Sequence, residues 1–220
     1  MDLTLQNVGV FGGGFDPPHN AHVRLVKTAI AALRLDAVFI VPTGQAGHKL
    51  PAKTPAAHRL AMTRLAFQDI PLAIIDDCEI RRAGPSWMVD TLAALRFHHI
   101  SKPADGLGVT KWHLILGADQ LARFESWVQW QNIARDCELA VASRPADPGA
   151  DVGQAIDQST WLKKGVRVNP LPFEKQALSS SALRGAIRSE GCHVRDATWR
   201  DAVPADVAAY ICQNGLYQTA

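Results

Sequence analysis

Short, almost uninterrupted apolar runs recur along this chain and set the strongest limit on what it can fold into. They are Val8-Gly9-Val10-Phe11, Ala37-Val38-Phe39-Ile40-Val41, Leu72-Ala73-Ile74-Ile75, Trp112-His113-Leu114-Ile115-Leu116 and Leu139-Ala140-Val141-Ala142. A strand with one face in water alternates apolar and polar residues; a strand apolar at nearly every position needs cover on both faces. Between the runs the spacing turns helical: Ala21, Leu25, Ala29, Ala32 and Leu33, then Leu60, Met62, Leu65 and Ala66, then Val89, Leu92, Ala93 and Leu95. Ser86 is the expected cap of the third of these helices. Strands alternating with helices predict an α/β fold, a doubly wound parallel sheet with helices on both faces.

The pattern changes after residue 178. Helical spacing at Ser181–Arg188 and Ala205–Cys212, the latter opening after Pro204 and closing before Gly215, predicts a small C-terminal helical subdomain. The expected division is a nucleotide-binding α/β core over residues 1–178 and a helical subdomain over 179–220, packed on the core. With 220 residues, 47% hydrophobic and 20% charged, the chain can bury a core and is not disordered in bulk. No charge-free run is long enough to span a membrane, and the opening MDLTLQNVGV lacks the basic segment and long apolar stretch of a signal peptide. Lys and Arg total 23 and Asp and Glu 21, giving +2, too balanced for a chain that lives on a nucleic-acid backbone. Cys78, Cys137, Cys192 and Cys212 include no two within four positions, which excludes a zinc knuckle and a CxxC redox pair; in a chain of this size with so few cysteines, reduced thiols in a cytoplasm are expected.

Chemistry concentrates at Gly12-Gly13-Gly14-Phe15-Asp16-Pro17-Pro18-His19-Asn20-Ala21-His22, between the first strand and the first helix. Glycines let a backbone approach phosphate closely, and free amides at a helix start face an anion. The run is neither a dinucleotide fingerprint nor a Walker A loop, since it lacks the third glycine of one and the Gly-Lys-Ser/Thr of the other. His19 and His22 lie one turn apart, where both can donate hydrogen bonds to phosphate oxygens and, as cations, counter a triphosphate. No third soft ligand is near them, which disfavours a metal site. Far along the chain, Leu178-Ser179-Ser180-Ser181-Ala182-Leu183-Arg184 sets hydroxyls and amides at a helix start, with a cation one turn on. Alone it reads as a plain N-cap with a solvated arginine; together with the first run it reads as a second phosphate contact.

The first run resembles the Gly-Gly-x-Phe-Asp-Pro-x-His-x-x-His signature of the nucleotidylyltransferase superfamily, with Ala21 in place of the glycine of its HxGH tetrad. The Ser179–Arg184 run resembles that superfamily's Ile-Ser-Ser-Thr-x-Ile-Arg motif, with Ser181 for threonine and Leu183 for isoleucine. A further series resembles the bacterial nicotinate-nucleotide adenylyltransferase family over nearly the whole chain. In order it is His48-Lys49, Ala57-His58-Arg59-Leu60-Ala61-Met62, Gly84-Pro85-Ser86-Trp87-Met88-Val89-Asp90-Thr91-Leu92, Gly117-Ala118-Asp119, Trp127-Val128-Gln129-Trp130, Ser143-Arg144-Pro145 and Asn214-Gly215-Leu216-Tyr217. Trp87-Met88 departs from the family's usual Tyr-Thr.

The resemblance implies a Rossmann-like nucleotidylyltransferase fold in the cytoplasm and transfer of the adenylyl group of ATP to nicotinate mononucleotide, giving deamido-NAD and pyrophosphate. It implies ATP and nicotinate mononucleotide as partners, Mg²⁺ arriving with ATP rather than on a protein metal site, and no nucleic-acid or membrane partner; a homo-oligomer stays open. Gly12, Gly13, Gly14 and Phe15 are expected at the reacting phosphates, His22 at the α-phosphate, and His19 and Lys49 along the triphosphate. Ser180, Ser181 and Arg184 are expected at the β- and γ-phosphates, and Asp119 at ribose. His19, His22, Lys49 and Arg184 form the expected catalytic set, and Lys49, Trp87, Met88, Trp127 and Arg144 the acceptor side. A pyridine ring needs a flat apolar partner, which Trp87 or Trp127 can supply, although core packing is the commoner fate of tryptophan. Trp112, Trp161, Trp199 and His113 are expected to pack in the interior; His98, His99, Arg81 and Arg82 are expected on the solvated surface. A related transferase acting on nicotinamide mononucleotide or phosphopantetheine, or a nucleotide-binding regulator without catalysis, remains an alternative at this point.

Overall fold

The computed structural model describes residues 5–46, 54–99, 110–143, 157–173, 178–194 and 197–218. Its frame is a six-stranded, all-parallel sheet made of β1 (Asn7–Gly13), β2 (Ala37–Pro42), β4 (Ala73–Ile75), β6 (Lys111–Gly117), β7 (Glu138–Ser143) and β8 (Val168–Pro172). Their order is β4-β2-β1-β6-β7-β8. Residues Val8–Gly13 of β1 lie beside Ala37–Pro42, and Asn7–Val10 lie beside Lys111–Leu114. The chain therefore winds outward from β1 through β2 to β4, then crosses back to start the other half at β6. Ligands of open α/β sheets bind where that reversal parts the carboxyl ends of neighbouring strands, here β1 and β6.

Strand periodicity explains the continuous apolar runs. Val38 and Ile40 enter one core cluster, and Phe39 and Val41 enter the other. Likewise Ile115 faces the first cluster, whereas Trp112, Leu114 and Leu116 face the second. Helix α1 (Asn20–Leu33) follows β1, and α2 (Ala56–Phe67) follows β2. Both send side chains (Leu25, Val26 and Ala29; Met62, Ala66 and Phe67) into the first cluster. Helices α4 (Met88–His99) and α6 (Trp130–Asp136) cover the other face through Leu92, Leu95 and Ile133. Helices α8 (Ser180–Glu190) and α9 (Ala205–Gln213) pack on the α1 side, with Leu183, Ile187, Val207 and Ile211 in the same cluster as Phe15 and Leu25.

Several expectations need correction. Strand β8 carries Pro170 and Pro172, which break an apolar reading; proline is tolerated there because β8 is an edge strand. A second, two-stranded sheet joins β3 (Gln45–Ala46) to β5 (Pro85–Ser86). Ser86 therefore sits in a strand and does not cap α4; its Oγ is buried with no hydrogen-bond partner. Cys192 and Cys212 form a disulfide across 5.5 Å between Cα atoms. The expectation of reduced thiols rested on how few cysteines a chain of this size carries, whereas packing of the α8 end on α9 is what brings these two together. His99 is not merely a solvated residue: its Nε2 lies 2.8 Å from Asp76 Oδ2 and its ring packs on Phe39. Arg82 likewise reaches the Thr91 hydroxyl, at 3.3 Å.

Candidate active site

The β1 carboxyl end is built for close approach. A Cβ on Gly12 would stand 3.0 Å from Met88 Cε, and one on Gly13 3.0 Å from the Phe15 ring. Any side chain there would push into the wall that those residues form. Phe15 then takes a left-handed backbone, φ 46°, and buries its ring against Phe11 and Phe67. His19 is the N-cap of α1, and its main-chain N–H donates to His22 Nδ1 at 3.2 Å. A nitrogen that accepts carries no proton, so the neutral His22 ring holds its proton on Nε2. The two imidazoles stack at 3.6 Å between centroids, and His22 also touches the rings of Phe15 and Phe11.

That packing overturns the cationic reading of the pair. Burial lowers the pKa of His19 to about 4, and burial, with His19 adding to it, holds that of His22 well below its ordinary value. At neutral pH both rings are uncharged hydrogen-bond donors. Their worth to an anion is the aimed N–H, while full positive charge comes from elsewhere.

A buried cation at the glycine run is Arg59, which the sequence reading left without a role. It is 3% exposed. Its guanidinium donates to the main-chain oxygens of Gly14 at 3.0 Å and Thr43 at 2.6 Å, and more loosely to Gly44 and Thr54. It thus ties the glycine run to the chain leaving β2 and to the chain entering α2. Burial lowers its pKa; Asp16, Tyr217 and Glu79 oppose that shift. Nothing in the local sequence marks a buried arginine, since an amphipathic helix places most arginines in water.

The second phosphate motif is stitched onto the first. Ser179 caps α8 by accepting from the Ala182 N–H. Ser180 Oγ donates to the Pro17 oxygen at 2.9 Å, and Arg184 Nη1 donates to the Asp16 oxygen at 2.7 Å. Arg184 Nη2 also donates to Ser181 Oγ at 3.1 Å. The start of α8 is therefore fixed against the turn that leads into α1, although the two are more than 160 residues apart in the chain.

Beside this junction a cleft of about 520 Å³ opens between the ends of β1 and β6. Among the residues singled out from sequence, its wall includes Gly12, Gly13, Gly14 and His22 on one side and Trp87, Met88, Asp119 and Trp127 on the other. Both tryptophans are half-buried, with a face left to the cleft rather than sunk in the core. Asp119 is not a cap of the short helix α5 (Ala118–Leu121), whose N-cap is Gly117; its carboxylate accepts from Gln120 Nε2 and lies close over Gly117. His19, Phe15, Ser180, Ser181 and Arg184 are not part of the cleft wall. Lys49 and Arg144 lie outside the described residues. Ser86, read from sequence only as a helix cap, also lines the cleft, as do Glu79 and Arg123, for which the sequence offered no signal. Burial raises the Glu79 pKa above the usual carboxylate range, and its carboxylate accepts from the Thr91 hydroxyl. Among the described residues no group of three His, Cys, Asp or Glu side chains is placed to hold a metal ion.

The cytidylyltransferase-like family profile matches residues 10–186. A protein of Albidiferax ferrireducens is 42% identical over 216 residues, covering 98% of this chain and all of its own, and is named "Probable nicotinate-nucleotide adenylyltransferase". A Bordetella petrii protein of the same name is 39% identical over 215 residues, covering 97% of this chain and all of its own. Among solved structures, the fold is similar to Plasmodium falciparum nicotinic acid mononucleotide adenylyltransferase complexed with NaAD. That likeness has a TM-score of 0.70 at 20% identity, over 96% of this chain and 97% of the other.

Proposed function

The chain belongs to the cytidylyltransferase-like family and, within it, to the nicotinate-nucleotide adenylyltransferases, and from that premise we propose how its residues carry the reaction. The enzyme transfers the adenylyl group of ATP to nicotinate mononucleotide in NAD biosynthesis. The 5′-phosphate oxygen of the mononucleotide attacks the α-phosphorus of ATP in line, a new P–O–P bridge forms, and the α–β bond breaks to release pyrophosphate. The attacking phosphate is already anionic at neutral pH, so no general base is required. What the protein supplies is position and charge stabilisation.

In this reading the Gly12–Gly14 amides border the α-phosphate, and His22 Nε2–H donates to its non-bridging oxygen as charge builds there. His19, stacked on His22, fixes that ring. Arg184, Ser180 and Ser181 take the β- and γ-phosphates, with Lys49 reaching them from its loop. Asp119 accepts ribose hydroxyls. Trp87 or Trp127 stacks on the pyridine ring, and Met88 and Arg144 complete the acceptor side. Residues 1–178 serve as the nucleotide-binding core and 179–220 as the helical subdomain that brings Arg184 to it. Mg²⁺ accompanies ATP. Among the described cleft residues the carboxylates are Glu79, already engaged, and Asp119, so an ion entering with ATP would be held chiefly by the substrate and would supply charge neutralisation for the leaving group. We place the reaction in the cytoplasm, where ATP is made available; no helix among the described residues is long and apolar enough to cross a membrane.

The observation that supports this reading is the direct bonding of Ser180 and Arg184 to Pro17 and Asp16, which brings the two motifs side by side. A pyrophosphate-release assay tests the substrate assignment. Turnover is expected with ATP and nicotinate mononucleotide, and much less with nicotinamide mononucleotide, with phosphopantetheine, or with CTP as donor. Faster turnover on another acceptor would move the assignment to that acceptor.

A further inference from the structure

Tyr217 lies in the segment that follows α9, distant in sequence from both phosphate motifs. Its backbone sits in the left-handed region, φ 66°, which a bulky aromatic residue rarely occupies. Such a conformation persists where surrounding contacts hold it in place. Here the contact is the Tyr217 hydroxyl, which donates to Asp16 Oδ1 at 2.7 Å. Asp16 is 9% exposed, and its Oδ2 faces Arg184 Nη1 at 4.0 Å. The same Nη1 already donates to the Asp16 main-chain oxygen. One buried carboxylate therefore stands between a neutral phenol and the guanidinium given to the outer phosphates of ATP. Burial, and then Asp16, push the Tyr217 pKa upward, so the hydroxyl stays a donor across the working pH range.

We propose that Tyr217 is a positioning residue for the triphosphate site: its hydroxyl holds the Asp16 carboxylate off Arg184, which leaves the N–H groups of the guanidinium not already given to the Asp16 main-chain oxygen and Ser181 Oγ to meet phosphate. Without that hydroxyl, Asp16 would keep a buried charge with no donor at Oδ1. A buried carboxylate turns to the nearest available cation. Arg59 is committed to main-chain oxygens, so among the described residues the cation within reach is Arg184. Closing the 4.0 Å gap would fix Arg184 in an ion pair that ATP must then break. The proposal rests on the site reading above for Arg184, and it adds a residue outside the phosphate motifs that sets how available that arginine is.

Tyr217→Phe keeps the ring and removes only the donor. The expected result is a rise of about tenfold in KM for ATP and in Kd for a non-hydrolysable ATP analogue, the factor set by one lost hydrogen bond to a charged group. KM for nicotinate mononucleotide is expected to stay within about twofold. In an Asp16→Asn background, where no carboxylate remains to capture Arg184, adding Tyr217→Phe is expected to change ATP affinity by less than about twofold. A merely structural tyrosine would lower the melting temperature without separating the two KM values. Unchanged ATP affinity in a folded Tyr217→Phe protein, or an undiminished effect in the Asp16→Asn background, overturns the proposal. Should Tyr217→Phe alone not fold, the double variant decides: a double variant that regains its fold and binds the analogue as Asp16→Asn does supports it, since removing the unpaired carboxylate then cures the defect, and one that stays unfolded or binds tenfold more weakly overturns it. Binding of the ATP analogue does not depend on the acceptor, whereas wild-type turnover on nicotinate mononucleotide tests the reaction itself, so the two failures are distinguishable.

Discussion

At the scale of single residues, the site works with neutral imidazoles. His22 accepts at Nδ1 from the His19 N–H, which leaves its one proton on Nε2, the proton we propose meets a phosphate oxygen. Removing one preorganised donor to a developing charge costs on the order of 10²–10³ in kcat. His22→Ala is accordingly expected to lose that much, measured by pyrophosphate release, while circular dichroism shows the fold retained. The same burial gives a pH dependence of stability. An unfolded histidine titrates near about 6.5, and His19 in the folded chain titrates at about 4. Between those values the unfolded state binds the extra proton, so stability is complete above the higher value and falls as pH drops toward the lower. Melting temperatures without nucleotide should decline over that window, and less steeply in His19→Gln; equal slopes would place the His19 titration elsewhere. The identity and spacing of both histidines were legible in the sequence. Their charge was not, because a motif shows residue types without the depth at which packing sets them.

At the scale of elements, the site depends on joints between helices and turns rather than on any one segment. The buried Arg59 on α2 ties down the main-chain oxygens of Gly14 and Thr43, and cutting it away removes the donor that holds both segments together. Arg59→Met is expected to destabilise the protein by at least about 3 kcal/mol in urea unfolding, with Arg59→Lys intermediate; a loss under about 1 kcal/mol would contradict the clamp. At the far end of α8, the Cys192–Cys212 disulfide closes a separation of 20 residues onto α9. Loop-closure entropy makes such a link worth about 3 kcal/mol. Dithiothreitol should lower the melting temperature of the wild type and leave Cys192→Ser unaffected. Five strands and the α8 and α9 helices were legible because apolar runs and caps are local signals. Strand β8 was not, since its prolines mask a strand whose place at the sheet edge is a tertiary fact. The disulfide and the Arg59 clamp were hidden for the same reason: each is made by contacts between segments.

Across the whole molecule, the sheet order puts the reversal of winding between β1 and β6, and the cleft opens at that point. The glycine run ends one of those strands, and Gly117, next to Asp119, ends the other. The helical region after residue 178 then lies against the same end through Ser180 and Arg184. That two separated motifs would meet was legible from their joint resemblance to one superfamily. How they meet was not, because Asp16 and Pro17 serve through main-chain oxygens, which every residue carries. The central claim is that both motifs grip one triphosphate. It is tested most directly by a crystal structure with a non-hydrolysable ATP analogue. The account predicts His22 Nε2 within hydrogen-bond distance of an α-phosphate oxygen, and Arg184 or Ser180 within that distance of the β- or γ-phosphate of the same molecule; phosphates held by one motif alone, with the other turned away, would contradict it.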